Sequence, residues 1–379
     1  AGDVVIGIDL GQFTLDPFGS GVQRVLQQLA HHWPEDTPAE FLVPTETAFG
    51  ALDPHSAFQL LSTTFEARPA DHEAPTLIAN RATSLFMDEL SFGQLSQRYS
   101  SWLVPEMTYE QSNLQRIRAM QQSMPVTMIA YDALPMSHPE NYHFTPGTHG
   151  NVSEYLRILR DAQTLVCISE FSRQQMFDVL RRDTSRTTEV AHPGGDHIPI
   201  ADPREPPTKP MFLRVGTMEA RKHPVEIVTS FMSASDDGLD ADLVFVGSPS
   251  RVDVAINTAV QRAIDSGYQV RWVTDATDAQ VVEYMGAASA FLSYGIEGYG
   301  IPVLEAIRRG LPILFDGIQP AGVIMEGRGA TRVPLGLNAT AWREAVGQAA
   351  EARSRRDPNG VPTWSDFACG VARVCVDPA

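Results

Sequence analysis

Short apolar runs alternate with amphipathic stretches along most of the chain, which is typical of strands alternating with helices. The runs that predict strands in the first half are VVIGIDL (4–10), EFLVP (40–44), VTMIAYDALP (126–135), TLVCIS (164–169) and TEVAHPG (188–194). Helical patterns lie between the later runs, and Ser20 is placed to cap a helix through GVQRVLQQLAHHW. Residues 45–125 are harder to interpret: they hold helical fragments and leave room for one more strand.

The alternation becomes more regular after residue 210. The runs that predict strands there are MFLRVG (211–216), LVFVGS (243–248), QVRWVT (269–274), AFLSY (290–294), PILFD (312–316) and ATRVP (330–334). A helical pattern follows each of the first four. Ahead of them, HIPIADPREPPTKP (197–210) is rich in proline and has no periodicity, which predicts a linker.

Strand–helix alternation on both sides of a linker predicts two doubly wound α/β domains. We expect the first at 1–196, the second at 211–356 and a final helix within 357–379. Strands that read as near-continuous Val, Ile and Leu favour parallel sheets covered on both faces. Because ligands bind beyond the carboxyl ends of such strands, the residues that follow each strand are the candidates for chemistry.

Composition narrows the function classes. The net charge of −17 disfavours nucleic acid as a partner, and no stretch approaches the roughly 18 apolar residues that a membrane span needs. The N-terminal AGDVVIGIDL predicts a first strand rather than a signal peptide. Three cysteines without a C-x-x-C pair predict neither a disulfide framework nor a zinc site, and favour a cytoplasmic location.

Two cations follow the first strand of the second domain. The strand ends in Gly216 and Thr217, and Arg221 and Lys222 come just before a helix that starts at Pro224. A helix start attracts anions, and an arginine fork beside a lysine point charge suits a diphosphate. Lysine is otherwise nearly absent, since Lys209 is the only other one. The alternative is a solvated basic pair.

Two acids flank a glycine-rich turn in GIEGYGIPVLE (295–305). Glu297 lies in the predicted turn, and Glu305 in the second turn of the helix that follows. Both can border one cavity, where carboxylates accept hydrogen bonds from paired hydroxyls such as those of sugars and riboses. The alternative is a helix start with a capping acid.

The segments VGTMEARKHP, LVFVGS and ASAFLSYGIEGYGIPVLEAIRRGLPIL resemble the nucleotide-binding half of the family 4 retaining glycosyltransferases, including the E-x7-E motif of that family. The first half resembles the family more loosely, through FGSGVQRV, AYDALP, TLVCISEFSR and HPGGD. The resemblance implies the GT-B fold, in which two Rossmann-like domains face each other across a cleft. The first would bind the acceptor and the second a nucleotide-sugar donor.

The resemblance also implies roles for the strand-end residues of the second domain. Arg221 and Lys222 would hold the diphosphate and stabilise the charge on the leaving group. Glu297 would bind the hydroxyls of the donor sugar, and Glu305 those of the ribose. The remaining donor-binding candidates are Gly216, Thr217, Thr274 near the base, and the backbone N–H groups of Gly298, Tyr299 and Gly300.

In the first domain, Gly19, Ser20 and Gly21 resemble the glycine-rich loop that approaches the donor phosphate. Asp132 would orient or deprotonate an acceptor hydroxyl, unless it is only a turn residue. The family often has histidine before this acid, whereas Tyr131 stands here, so a catalytic histidine is not expected at that place. The YDALP version resembles enzymes that build mannose-containing surface polysaccharides.

The pair Asp240 and Asp242 matches the D-x-D metal motif of a different glycosyltransferase fold. It precedes a strand where that motif would follow one, and the resemblance to family 4 implies a reaction without metal, so we expect no metal and no cofactor. Arg221 and Lys222 would take over the role of a divalent cation.

The function that the resemblance implies is that of a retaining glycosyltransferase. It would move a hexose, with GDP-mannose favoured, to a carbohydrate, lipid-linked or small-molecule acceptor in polysaccharide or glycoconjugate biosynthesis. Membrane contact would be peripheral at most. Two alternatives stay open: a nucleotide-sugar epimerase on the same fold, and a non-catalytic partner subunit that binds the nucleotide-sugar.

Overall fold

The computed structural model describes residues 5–66, 73–142, 148–201, 207–250, 252–334 and 339–377. The chain divides into two compact units. The N-terminal unit comprises residues 1–139, 144–193 and 363–379, and the C-terminal unit comprises 140–143 and 194–362. The segment 197–210, expected as a linker, therefore falls within the C-terminal unit; its residues 202–206 lie outside the described ranges.

The N-terminal unit is built on an eight-stranded sheet with the order β4-β3-β2-β1-β5-β6-β7-β8. Its strands are β1 Ile6–Asp9, β2 Ala39–Pro44, β3 Phe49–Leu52, β4 Asp88–Leu90, β5 Ser101–Val104, β6 Val126–Ala130, β7 Thr164–Cys167 and β8 Thr188–Val190. The pairs β2–β3 and β3–β4 are antiparallel and the others parallel. The expectation of a parallel sheet is therefore wrong at one edge, because the connection after Pro44 is too short for a crossover.

The helices of this unit are α1 Gly11–Leu15, α2 Gly21–His31, α3 Pro54–Glu66, α4 Ala74–Leu85, α5 Phe92–Arg98, α6 Gln111–Ser123, α7 Leu134–Ser137, α8 Thr148–Asp161 and α9 Glu170–Asp178. Ser20 caps α2 as expected, because its side chain accepts a hydrogen bond from the N–H of Gln23. Two expectations need correction. The run VTMIAYDALP ends as a strand at Ala130 and continues into α7, and the described residues between 45 and 125 contain three strands instead of one.

The C-terminal unit has a six-stranded sheet, parallel throughout, with the order β11-β10-β9-β12-β13-β14. Its strands are β9 Met211–Val215, β10 Asp242–Val246, β11 Val270–Val273, β12 Ala290–Ile296, β13 Ile313–Ile318 and β14 Ala330–Arg332. Its helices are α10 Pro224–Asp236, α11 Val254–Asp265, α12 Asp278–Ala287, α13 Ile301–Arg308, α14 Pro320–Ile324 and α15 Ala339–Ser354. All six predicted strands of this region form. The strand order reverses between β9 and β12, which is where ligands bind in such sheets.

Aromatic side chains fix one helical layer onto this sheet. Trp342 on α15 is buried, and its ring centroid lies 4.7 Å from that of Phe212 on β9 and 5.5 Å from that of Phe231 on α10. Edge-to-face pairs of this kind add to the free energy gained by burying the rings. This packing leaves the carboxyl ends of β9 and β12 side by side at the rim of the sheet.

The chain ends in α16, Trp364–Val376, which begins after the cap residue Thr363. Trp364, Phe367 and Val371 are buried, and the helix packs against α2 and strands β5, β6 and β7 of the N-terminal unit. The C-terminal piece of the chain is thus part of the N-terminal unit. Among the helices in the described residues, none has the length and apolar character needed to cross a bilayer.

Candidate functional site

Close backbone contacts define the rim of the C-terminal sheet. A short 3₁₀ turn, Ala220–Lys222, follows β9 and lies directly against β12. Gly295, near the end of β12, has φ of +89°, and a Cβ added there would overlap the carbonyl oxygen of Arg221. Glycine is required at this position both for its backbone angle and for lack of space. This contact brings the GTMEARK and GIEGYG segments together.

Five charged side chains meet where those segments touch, and we call them the strand-end ion cluster: Arg214, Glu219, Arg221, Lys222 and Glu297. Arg221 lies between two carboxylates, with its Nη1 atom 2.6 Å from Oε2 of Glu297 and its Nη2 atom 2.6 Å from Oε2 of Glu219. Arg221 Nη1 also donates to the carbonyl of Ile296 at 2.8 Å. The Nζ atom of Lys222 lies 3.4 Å from Oε1 of Glu297.

Burial and charge act in opposite directions on this cluster. Burial opposes ionisation of Glu297, but the charges of Arg221, Lys222 and Arg214 outweigh it and hold the pKa of Glu297 at about 2. Burial likewise disfavours the charge on Arg221, and Glu297 and Glu219 raise its pKa above the ordinary value. Glu297 and Arg221 are therefore ionised at neutral pH, and the cluster as a whole contains three basic side chains and two acidic ones.

Arg214 is the cation that the sequence does not reveal. It lies within β9, is only 5% exposed, and burial lowers its pKa. A Cβ added to Gly216 would lie 3.5 Å from Nη1 of Arg214 and 3.2 Å from Nζ of Lys222. Gly216 thus leaves room for two cations on one side of the strand end. A basic residue within an apolar strand, two positions before a glycine, is the signal that could have identified Arg214.

The turn after Glu297 is held rigidly. The N–H of Glu297 donates to the carbonyl of Ile318 at 2.9 Å, and the carbonyl of Tyr299 accepts from the N–H of Ala321 at 2.9 Å. Gly300 has φ of +107° and is the residue before α13, with Pro302 in the first turn of that helix. Tyr299 as a whole is 3% exposed, so its ring is buried within the unit and does not face solvent.

Glu305 lies on α13 and contacts a histidine instead of the cluster cations. Its Oε1 atom lies 2.8 Å from Nε2 of His197. His197 was not among the predicted site residues, because it stands in the segment that was interpreted as a linker.

The remaining candidates of the C-terminal unit lie at strand ends. Thr217 follows Gly216 directly, and Thr274 is exposed just after β11 at the edge of the sheet. Between these two strand ends, the indole N–H of Trp272 donates to the carbonyl of Gly247 at 2.9 Å.

In the N-terminal unit, the glycine-rich loop is organised around Gln23. Its Oε1 atom accepts from the N–H groups of Phe18 and Gly19 at 3.1 and 2.8 Å, and its side-chain amide donates to the carbonyl of Asp16 at 2.7 Å. Gly19 has φ of +70°, Ser20 caps α2, and Gly21 is exposed. One side chain thus fixes the backbone of the whole loop.

Asp132 lies after β6 in the same unit. Its Oδ1 atom accepts from the N–H of Leu134 at 3.0 Å, so it forms the turn that was its alternative interpretation, and its side chain remains partly accessible. Tyr131 points into the core, where its hydroxyl donates to the carbonyl of Pro105 at 2.8 Å.

A buried carboxyl group next to the glycine-rich loop was not predicted from the sequence. Glu106 is 4% exposed, and burial is the main reason why its pKa is raised to about 8; hydrogen bonds from the amide of Phe13 and the side chain of Gln23 act against this. Nearby, Arg116 pairs with Asp9, with its Nη2 atom 2.9 Å from Oδ1 and its Nε atom 3.0 Å from Oδ2. Asp9 ends the apolar run of β1, and an acid at a strand end is a signal by which it could have been predicted as a site residue. Glu106 gave no such signal, because it follows a strand in the region that could not be interpreted from its pattern.

The D-x-D pair lies at the opposite end of its strand from the ion cluster. Asp242 begins β10, and Lys209 contacts both acids, with Nζ 2.8 Å from Asp242 and 3.3 Å from Asp240. The expectation that this pair precedes a strand is confirmed. Among the described residues, no three His, Cys, Asp or Glu side chains come together as metal ligands would.

Comparison with known proteins gives its family match in the part of the chain that contains the strand-end ion cluster. Residues 199–352 match the family model described as Glycosyl transferases group 1. The serotype-specific mannosyltransferase WbdA of Escherichia coli is 28% identical over 111 residues, which is 29% of this chain and 14% of WbdA. The O-antigen chain mannosyltransferase B of Escherichia coli is 23% identical over 193 residues, 48% of this chain and 50% of that protein. The matches thus span at most half the length of these relatives.

Solved structures resemble the chain over nearly its whole length. The structure of Anabaena Alr3699/HepE in complex with UDP-glucose has a TM-score of 0.60 and 13% identity, and covers 98% of this chain and 95% of that one. Sucrose-phosphate synthase from Thermosynechococcus elongatus has a TM-score of 0.60 and 13% identity, with 98% and 94% covered. The chain therefore has the GT-B fold of two Rossmann-like domains, and residues 199–352, which lie within its C-terminal unit, are similar to the Glycosyl transferases group 1 family.

Proposed function

We propose that this protein is a retaining glycosyltransferase that moves a hexose, with mannose favoured, from a nucleoside-diphosphate sugar to an acceptor hydroxyl. The reaction would serve surface polysaccharide or glycoconjugate biosynthesis in the cytoplasm, with at most peripheral membrane contact. The acceptor would be a carbohydrate, a lipid-linked sugar or a small molecule.

The observation that carries the proposal is the strand-end ion cluster. Its three cations face two carboxylates, so it retains a positive excess at the point of the sheet where ligands bind. A diphosphate needs such a site, because an arginine fork and a lysine point charge together satisfy its oxygens. The same cations would stabilise the charge that develops as the sugar–phosphate bond breaks, which is the part a bound metal ion plays elsewhere. We propose that no metal and no cofactor take part.

Glu297 is suited to bind the transferred sugar. With a pKa of about 2 it stays ionised at any physiological pH, and an ionised carboxylate accepts hydrogen bonds from hydroxyl groups. Its place beside Arg221 puts a sugar-binding group next to the diphosphate-binding groups. The backbone N–H groups of Gly298, Tyr299 and Gly300 would assist, and Gly216, Thr217 and Thr274 would line the nucleotide.

The remaining roles follow from the resemblance to family 4. Glu305 would bind the ribose, Gly19–Gly21 the donor phosphate, and Asp132 the acceptor hydroxyl. In the transfer, the bond between the anomeric carbon and the diphosphate breaks and a bond to the acceptor oxygen forms. The acceptor proton leaves to a base, for which Asp132 is the candidate. We favour attack from the face that the diphosphate leaves.

Two relatives favour mannose over other hexoses. WbdA and the O-antigen chain mannosyltransferase B are named as mannosyltransferases, and the matched parts of this chain are 28% and 23% identical to them. The structural neighbour Alr3699/HepE was solved with UDP-glucose, so a uridine donor is the competing hypothesis.

The test uses the donor alone. Purified protein is incubated with GDP-mannose or UDP-glucose, and proton NMR follows the anomeric signals. Slow hydrolysis that first releases the α-anomer supports a retaining transferase. First release of the β-anomer contradicts retention, and a nucleotide-sugar with an altered sugar supports the epimerase. No change in any donor, despite binding, supports the non-catalytic partner subunit.

A further inference from the structure

The first residues of the C-terminal unit lie along helix α13. A Cβ added to Gly195 would lie 2.5 Å from Cβ of Leu304, so the backbone packs directly on the helix. Arg308 holds the segment twice: its Nε atom donates to the carbonyl of Ile198 at 2.7 Å, and its carbonyl accepts from the N–H of Ala201 at 3.0 Å. We call residues 195–201 the docked segment.

His197 projects from the middle of the docked segment onto Glu305. Its Nε2 atom lies 2.8 Å from Oε1, and the two side chains are 7% and 15% exposed. When Glu305 is ionised its carboxylate only accepts, and Nε2 is then the donor in this contact. Hydrogen bonds to charged groups are short and strong when water is largely excluded, and this one joins residues 108 positions apart.

We propose that His197 is a positioning residue, which holds the Glu305 carboxylate in the orientation that accepts hydrogen bonds from the ribose hydroxyls of a bound nucleotide. The inference rests on the proposed function, in which Glu305 contacts the ribose. An unheld glutamate loses rotamer freedom when it binds a ligand, which weakens binding. His197 fixes those rotamers before the ligand arrives, while the docked segment fixes His197.

If His197 positions Glu305, a change of His197 should affect only the binding of the ribose part of the nucleotide. Removing the imidazole should weaken the binding of nucleotides that carry ribose hydroxyls and leave the contacts of the diphosphate with Arg221 and Lys222 unchanged. Glutamine at this position places an amide N–H close to where Nε2 lies, so it should restore most of the effect. A residue that merely supports the fold would lower affinity for all nucleotides alike.

The experiment is calorimetric titration with GDP and UDP and with their 2′,3′-dideoxy analogues. For the nucleotide that wild type binds, we expect the ribose form to bind about ten- to a hundredfold more tightly than the dideoxy form. His197→Phe should reduce this preference to about threefold or less without changing affinity for the dideoxy form, and His197→Gln should restore most of it. Circular dichroism checks that each variant is folded.

Arg308→Gln is the matched control, because it removes the side-chain bond to Ile198 but keeps the backbone bond to Ala201, which still holds the docked segment on α13, and it leaves the His197–Glu305 hydrogen bond unchanged. This variant should keep the wild-type preference. The inference is overturned if His197→Phe keeps the preference, if Arg308→Gln loses it equally, or if wild type binds both forms of the nucleotide equally. If wild type binds neither GDP nor UDP in any form, the proposed function fails instead.

Discussion

The Nη1 atom of Arg221 lies 2.6 Å from Oε2 of Glu297, although the two residues are 76 positions apart in the chain. The contact joins the turn after β9 to the end of β12, the two strands between which the order of the sheet reverses. A cation of a type suited to phosphate and a carboxylate of a type suited to hydroxyl groups are thus in direct contact. Several consequences of this arrangement can be measured.

Loss of any of the three central side chains should abolish most activity. We expect Arg221→Ala, Lys222→Ala and Glu297→Ala each to reduce turnover at least about a hundredfold, because a cation or carboxylate aimed at the reacting group contributes on the order of 3 kcal/mol to transition-state stabilisation. Initial rates of nucleoside diphosphate release measure this.

Lys209→Ala is the control for the lysine variant, since Lys209 and Lys222 are the only two lysines of the chain. Lys209 pairs with Asp240 and Asp242 at the other end of β10, and its loss should leave turnover within about twofold of wild type, as for an exposed surface pair. Near-normal turnover in all three cluster variants would contradict the assignment.

Gly295 should tolerate no side chain. In Gly295→Ala the new Cβ would overlap the carbonyl oxygen of Arg221, so the free energy of unfolding should fall by on the order of 3 kcal/mol and activity should be lost. Gly267→Ala is a matched control: φ there is +85° and no atom lies within 4 Å of the added Cβ, so only the backbone strain of about 1–2 kcal/mol applies. Equal losses in the two variants, by urea titration, would mean that the close contact is unimportant.

Glu297 should contribute a stability that acid removes. Its pKa in the folded protein is about 2, below the ordinary value, so its contribution is complete above pH 5 and declines as the pH falls through that range. The free energy of unfolding of wild type minus that of Glu297→Gln should decrease by about 2 kcal/mol between pH 5 and pH 3. A difference that is independent of pH would show that the cluster does not shift this carboxyl.

Glu106 should show the opposite dependence in a different pH range. Its pKa in the folded protein is about 8, so the folded state binds the extra proton between pH 5 and 8 and loses stability as the pH rises. The free energy of unfolding of wild type minus that of Glu106→Gln should fall by up to about 1.4 kcal/mol per pH unit over that interval. The result is checked by urea titration at pH 5, 6, 7 and 8, where Glu297→Gln should show a constant difference.

Much of the C-terminal unit could be predicted from its residues. Its strands are near-continuous apolar runs such as AFLSY and PILFD, most of which end in or are followed by glycine or proline, and all of them form. Arg221, Lys222 and Glu297 were predicted to act together and do meet. Site residues that directly follow clearly predicted strands can be identified in a sequence, because parallel strands end at the same edge of a sheet.

The elements and site residues that were not predicted from the sequence share a physical cause. The described residues between 45 and 125 form helices and short strands, and two of the strand pairings are antiparallel. The local apolar pattern does not distinguish these helices from these strands. Glu106 therefore could not be placed. Glu219, Arg214 and His197 were missed because their roles depend on partners that only the folded chain brings close: Arg221 for Glu219, Glu297 for Arg214, and Glu305 for His197.

The central claim is that the strand-end ion cluster binds the diphosphate of the donor. Calorimetric titration of wild type, Lys222→Ala and Lys209→Ala with GDP-mannose and UDP-glucose tests it most directly. The account predicts that wild type and Lys209→Ala bind one donor with the same affinity, and that Lys222→Ala binds it at least about tenfold more weakly. Equal affinity of the donor for Lys222→Ala and wild type would contradict the account.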